Sequence, residues 1–594
     1  MELSSFVVDA LWRPKLVFLY EQVKKKIDAR YQNSRSADWS TSSLNPKNRI
    51  NTFDKHPAAW QIDGATNFGT RFFAVPHSLP AKQTLLRVDV FISDQDEIPW
   101  SLRYALDLSR SVLLRDWDIV PTLGISRLLS RVLASHCEQN PGFLNQYQQL
   151  PFGSKIRIEN LCLHPEQADL YTIPACDLER KTRSVSYLQE LWKDSVPLLS
   201  WPEVIDLSSL HFIKQLHDSV SVVRLGGPGQ ISKSSLVLKS NTEGVTHLYH
   251  ELKFLLTCPS HPNVMPKPLH VVTSVSRFGG KHGVIGFTLP YYPAKSISNL
   301  LPVRVRDRSW SSAQQVNWCR QIVSALIHIH FKTGLFCSDL RPDNILLHKK
   351  NETDCLILCD FEQRGNWHEW CPPEVLYAQY VENLSMDQSS AGIVHSSWRE
   401  LIELYHRVSL PAKRATCEKV ANSNWPWFVL TPEQQEKSQV YLVGLIMYCI
   451  FEGLSNVRIS LANAYRYEDP EVEFPIFKRT PVLVQKLIKK YTAGAPEWEA
   501  EGSHEGDRQL DICPKRASRV ARRGDKMHTE GLGGGHSISE TEYDVLRTGL
   551  NWWTTKLQRA EFFFKRHKDS YRDIGMIQPI LHEVYMDLEN LTFN

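Results

Sequence analysis

Asp339 begins the run Asp339-Leu340-Arg341-Pro342-Asp343-Asn344, and a further carboxylate, Asp360, follows the apolar stretch Leu356 to Cys359. Phosphoryl transfer to a hydroxyl asks for such a set. One carboxylate receives the hydroxyl proton, while an amide and a second carboxylate offer oxygen ligands to the metal ions on the phosphates. Upstream, Lys239 closes the strand-like Leu236 to Lys239, and Glu251 lies in the helix-like Leu248 to Leu256. An ammonium on a long flexible stem needs a fixed carboxylate beside it before it can hold phosphate oxygens.

The two ordered segments, Cys337 to Leu347 (CSDLRPDNILL) and Leu356 to Phe361 (LILCDF), resemble the catalytic core of the eukaryotic protein kinase superfamily. The resemblance implies an α+β, two-lobed fold with a small β-rich N-lobe and a helical C-lobe, using ATP and Mg2+. It implies Asp339 as the base, Asn344 and Asp360 as metal ligands, and Phe361 packed under the helix bearing Glu251. Arg341 stands where serine/threonine kinases usually carry a lysine that neutralises the transferring group. Lys239 takes the place of the phosphate-contacting lysine, and Glu251 that of its partner. Leu289 falls at the gatekeeper, and Tyr291 within the hinge Pro290 to Pro293 where adenine docks.

The elements that must position these residues follow from spacing. Leu210 to Leu216 and Ser221 to Leu225 read as the first two strands, with Gly226 to Gln230 as the turn into the strand of Lys239. Val316 to His330 reads as a helix, with apolar residues at 316, 319, 323 and 326. Val440 to Phe451 is apolar all round, as a buried central helix requires, and twelve residues are too few to span a bilayer.

Several positions depart from the family pattern. The phosphate loop falls on His217 to Ser221 and contains no glycine, although close backbone approach to phosphate is what glycine permits. The family's H-R-D is Cys337-Ser338-Asp339, its D-F-G is Asp360-Phe361-Glu362, and its A-P-E is Pro372-Pro373-Glu374 after a short segment from Glu362 to Cys371. Gln439 replaces the aspartate that supports the catalytic-loop backbone, so this loop is expected to be held differently.

A length of 594 residues, 42% hydrophobic and 23% charged, describes a globular chain of two to four domains. A net charge of +4 over that length points to neither nucleic acid nor a membrane surface as partner. Asp9, Arg13, Pro14 and Lys15 interrupt the apolar N-terminus, so no signal peptide is expected. The twelve cysteines form no CxxC pair and read as reduced thiols of an intracellular, cytoplasmic or nuclear protein.

The expected organisation has four parts. Residues 1–205 form an accessory region of unknown fold, with Asn33 to Arg49 as linker, Leu85 to Ser93 as strand and Ile125 to Ser135 as a short helix. Residues 206–494 form the kinase-like domain with an insert at 375–438. Residues 495–540 read as a flexible loop. Residues 541–594 hold a helix striped by Leu546, Leu550, Trp553, Leu557, Ala560 and Phe564, packed on the C-lobe, and a tail.

In overall pattern, residues 206 to 570 resemble kinase-like proteins of filamentous fungi. The leading expectation is an atypical kinase moving the γ-phosphate of ATP to a Ser/Thr hydroxyl of a protein, with protein partners met through residues 1–205 and 375–438. Two alternatives stay open: a pseudokinase scaffold or allosteric module, and a small-molecule hydroxyl kinase of aminoglycoside- or choline-kinase type.

Overall fold

Apolar residues at three- and four-residue steps, and at alternate positions, set the helices and strands of the computed structural model. It describes residues 60–66, 71–76, 88–92, 106, 123–161, 164–194, 200–217, 219–227, 230–240, 244–277, 279–306, 310–350, 353–366, 370–391, 396–407, 427–428, 430–457, 474–495, 498, 519–523, 526–530, 542–566 and 577–591. Asn33 to Arg49, the N-terminal apolar run and Asp218 lie outside them. The described chain divides into two units, one of residues 60–257 and 266–291, the other of 258–265 and 292–591.

The first unit contains two sheets. Strands β1 (Trp60–Thr66), β2 (Arg71–Pro76), β3 (Val88–Ile92), β4 (Lys155–Glu159) and β5 (Asp169–Ile173) form a five-stranded sheet in sequence order, with β3 and β4 parallel. Helix α1 (Gly124–Gln139) lays Ile125, Leu128, Leu129, Val132 and Leu133 against Trp60, Phe72, Ile156 and Ile158. The helix read at Ile125 to Ser135 is thus sixteen residues long. Among the described residues, α2 (Phe143–Gln148), α3 (Cys176–Lys181) and α4 (Val185–Trp192) also belong to the region for which the sequence gives no fold.

The second sheet of this unit has six strands in the order β6-β10-β11-β9-β8-β7. These are β6 (Glu203–Asp206), β7 (Leu210–His217), β8 (Val220–Gly227), β9 (Gln230–Ser240), β10 (His270–Val275) and β11 (His282–Pro290). The β7-β8-β9 meander has the strand order read from the sequence, but the strands run further than expected: Gly226 and Gly227 belong to β8 and pair with Ile231 and Gln230 of β9. Strand β6 was not anticipated; it pairs parallel to β10 and extends the sheet by residues counted with the accessory region. Helix α5 (Val245–Thr257) carries Glu251.

The second unit is mainly helical. Helix α6 (Ile297–Arg306) precedes α7 (Ser312–Thr333), which begins at a capping box of Ser311 and Gln314 and stops at Gly334, whose φ of 69° glycine tolerates. The hairpin β12 (Ile345–Lys350) and β13 (Thr353–Leu358) follows. Helix α8 (Pro373–Ala391) begins two residues before the expected insert at 375–438 and runs into it, and α9 (Ser396–Arg407) lies within it. Helix α10 (Pro432–Glu452) is buried from Ser438 to Glu452, as an all-round apolar sequence demands. Helix α11 (Val482–Tyr491) packs on it.

Where residues 495–540 read as a loop, β14 (Arg519–Arg523) and β15 (Lys526–Glu530) pair antiparallel.

The stripe of helix α12 (Glu542–Arg566) buries Trp552, Trp553, Leu557, Ala560 and Phe564 on α8 and α9. Tyr380 meets both tryptophans edge-on, and Tyr405 meets Phe564. Tyr380, Tyr405 and Trp427 of the insert therefore belong to the core, whereas Phe428 is exposed. Past it, α13 (Leu581–Glu589) docks on α7 through Leu581, Val584 and Leu588, while Arg320 donates to the Leu588 carbonyl at 2.8 Å.

Candidate active site

Within the first unit, β9 presents Lys239 and α5 presents Glu251. Their charged ends lie 2.5 Å apart, with side chains 8% and 2% exposed. An ion pair so withdrawn from water is weak support for stability, because desolvation offsets the attraction. It does fix the ammonium. Phe287 lies across from Lys239 on β11, and Leu289, buried on the same strand, pairs with Val237. Tyr291, half-buried, follows β11.

Val220, on the exit of the glycine-free loop, pairs with Lys239 on β9, and Ser240 donates its N–H to the Ser219 carbonyl at 2.8 Å. Gln215 stitches the loop base. It donates to the His217 carbonyl and accepts from Ser221 Oγ at 2.7 Å. Side-chain hydrogen bonds thus hold the turn whose family counterpart is shaped by glycines.

Within the second unit, the β12-β13 hairpin explains the spacing of the other residues. Ile345 pairs with Leu358, so the residues just outside that pair, Asn344 and Cys359, share the open end of the hairpin. The Cys359 N–H donates to the Asn344 carbonyl at 3.0 Å, setting Asp360 next to this junction. Asp360 has φ 66°, a left-handed conformation that aspartate adopts more readily than most residues. Asn263 steadies β13 from behind, donating to the Leu356 carbonyl and to Gln321, both at 2.9 Å.

Asp339 receives two contacts of different kinds. Asn344 Nδ2 donates to its carbonyl at 2.9 Å and to its carboxylate at 3.1 Å. Arg341 pairs with it at 3.2 Å and with Asp343 at the same distance. Burial pushes the Asp339 carboxyl up to about 6; Asp360 and Asp343 add to the rise, against Arg341 and Asn344. A base poised just below neutral pH remains ionised while still basic enough to accept a proton. With its nitrogen engaged by Asp339, Asn344 keeps its amide oxygen as a ligand atom. Together with the Asp360 carboxylate this is an all-oxygen donor set, the chemistry magnesium selects.

The departures from the family pattern have local compensations. Gln439, buried in α10, donates its amide to the Cys337 carbonyl at 3.3 Å. It therefore holds the catalytic-loop backbone as a donor to C=O, where a carboxylate could only accept. Asn366 holds the next residue, donating to the Ser338 carbonyl at 2.8 Å, and the Gly365 N–H donates to Ser338 Oγ at 3.2 Å. Glu362 is paired with Arg364, which offsets the charge brought in at the glycine position. Glu374 begins α8 buried, and burial raises its carboxyl to about 7.

Sequence reasoning did not find Asn366, and a lone asparagine among Arg364, Gly365 and Trp367 carries no periodic or motif signal. Gln439 was visible only as a missing carboxylate. Its use as a donor depends on a buried carbonyl across the fold.

A mixed fold with a six-stranded sheet, a lysine–glutamate pair and an aspartate–asparagine hairpin junction defines a protein-kinase-like protein. Residues 231–406 match the protein kinase domain family, from the start of β9 to the end of α9, and every site residue named above except Gln215, His217, Ser219, Val220, Ser221 and Gln439 lies in that span. The chain is thus protein-kinase-like and carries the domain of phosphotransferases that bind ATP. No curated protein matches it. No helix among the described residues is long and apolar enough to cross a membrane.

Proposed function

We propose that this protein transfers the γ-phosphate of ATP to a serine or threonine hydroxyl of another protein. The observation that carries the reading is Asp339, a half-buried carboxyl held by Asn344 and Arg341 at the mouth of the hairpin that leads to Asp360. In this reading Asp339 takes the hydroxyl proton as the acceptor oxygen bonds to the γ-phosphorus and ADP leaves. Asn344 orients the Asp339 carboxylate through its amide nitrogen and, with Asp360, offers oxygen ligands to magnesium. Magnesium supplies charge neutralisation on the phosphates. Lys239, fixed by Glu251, grips phosphate oxygens, while Leu289 and Tyr291 flank the adenine. Arg341 keeps Asp339 ionised near neutral pH and brings positive charge to the acceptor side.

The test is transfer of radiolabel from Mg·[γ-32P]ATP by the full chain to a protein acceptor, with hydrolysis of the product to identify the labelled amino acid. Phosphoserine or phosphothreonine, lost in Asp339→Asn, is the expected outcome. Label on sugars or amino alcohols alone would replace the protein acceptor with a small molecule. The second reading, a pseudokinase module, is favoured by one observation: the turn below Lys239 is tied by Gln215 and Ser221 with no glycine to admit phosphate. Equal biological effect of wild type, Lys239→Met and Asp339→Asn would select it.

A further inference from the structure

We propose that Tyr249 is a positioning residue for the Lys239–Glu251 pair, clamped by the accessory segment Thr182–Arg183; this rests on the reading of that pair as the phosphate grip. The Tyr249 hydroxyl accepts from the Arg183 N–H at 2.8 Å and donates to the Val284 carbonyl at 2.9 Å. The Val284 N–H in turn donates to the Arg183 carbonyl at 2.8 Å. One ring of hydrogen bonds therefore joins helix α5, strand β11 and the accessory region. Burial pushes the Tyr249 hydroxyl up to about 12, so it keeps its proton, and with it the donor role, through the physiological range.

Neighbouring contacts press the same segment onto the same sheet. A Cβ on Gly283 would stand 2.4 Å from Thr182 Oγ1, so the Thr182 side chain occupies the space against β11 that a side chain at 283 would need. Lys281 Nζ donates to the Thr182 carbonyl. Arg277 donates its N–H to Glu179 at 2.6 Å and its guanidinium to the Gln148 carbonyl at 2.7 Å. Beside these contacts, Phe152 and Leu178 of the accessory region line a small cavity with Val245 and Ile285.

The helical geometry turns this seam into a positioning device. Tyr249 and Glu251 are two residues apart on α5, which places them about 200° apart around the helix axis. One side is tied to the accessory segment and the other meets Lys239. Two anchors on opposite sides fix the rotation of the helix, and rotation decides whether Glu251 reaches Lys239. In protein kinases this pair must be in place for catalysis. Here the accessory region supplies the hold from within the chain.

The test reads the pair itself, without nucleotide. Acylation of Lys239 by an amine-reactive ester is followed by peptide mass spectrometry on the folded full chain. Tyr249→Phe removes two of the ring's three hydrogen bonds and is expected to speed labelling of Lys239 at least about fivefold. Arg183→Pro removes the N–H and is expected to act alike; Thr182, at φ −61° and ψ 148°, already has the conformation a following proline demands. Arg183→Ala keeps the N–H and is expected to label as wild type does.

In a Glu251→Gln background, Tyr249→Phe is expected to add nothing, which a merely stabilising tyrosine would not reproduce. Unchanged Lys239 labelling in both Tyr249→Phe and Arg183→Pro, or equal effects with and without Glu251, overturns the proposal. Protection of wild-type Lys239 by Mg·ATP is scored separately. Its failure contradicts the phosphate-grip reading, while the variants still decide the clamp.

Discussion

Asp339→Asn should stabilise the protein relative to wild type as pH rises, even though it removes the base. Burial raises the Asp339 carboxyl from its ordinary 3.8 to about 6. The folded state therefore binds this proton more tightly than the unfolded chain does. The contribution to stability is fully present below 3.8 and is lost as pH rises through about 6. At about 1.36 kcal/mol for each pH decade, the whole effect is about 3 kcal/mol, of which about 2 kcal/mol falls between pH 4.5 and 7.5.

The assay is urea unfolding of wild type and Asp339→Asn at those two pH values. All other titrating groups are common to both proteins, and the lost Arg341 pairing shifts the variant's stability at both. The difference between the two should move by about 2 kcal/mol in favour of the variant on going to pH 7.5. A difference that stays constant, or that moves toward the wild type, would refute the burial of Asp339 as the source of its raised carboxyl.

Other perturbations have equally definite outcomes. Gln439→Ala removes the amide that holds the Cys337 carbonyl; unfolding measurements should show a loss of about 1–2 kcal/mol, and kcat should fall more than KM for ATP rises. Glu374→Gln should gain on wild type by on the order of 3 kcal/mol as pH rises from about 4.5 to 7, where the raised carboxyl ionises at the expense of the folded state. Leu557→Ala, at the fully buried centre of the α12 stripe, should cost about 2–5 kcal/mol in denaturant unfolding.

The parts of the fold legible in the sequence are those fixed by short-range geometry. Asn344 and Asp360 are spaced by a two-stranded hairpin, and the alternation of Ile345, Leu347, Leu356 and Leu358 announces it. The β7-β8-β9 order was readable because the glycines from Gly226 stand too close to Lys239 to be a phosphate loop followed by a full second strand, although Gly226 and Gly227 themselves pair within the meander. Strand β6 escaped because Glu-Val-Ile-Asp is too short to signal, and its partner β10 begins at His270.

The Tyr249 ring escaped for a different reason. Two of its three members contribute backbone groups, which every residue has, so no residue type marks them. Gln439 shows the limit of motif comparison: the lost carboxylate was evident, but the replacement works with the opposite hydrogen-bond polarity. Within residues 495–540, glycine and charge read as a loop, whereas Arg519–Arg523 and Lys526–Glu530 pair through backbone groups.

The most direct test of the proposed kinase is thermal unfolding of the full chain with ATP alone, magnesium alone, and both. At 100 times its dissociation constant, a ligand of the native state stabilises it by about 2.7 kcal/mol. A rise in midpoint that needs ATP and magnesium together, and that disappears in Asp360→Asn, is the expected result. No rise at millimolar nucleotide would contradict the proposed nucleotide site and leave the fold as a binding module.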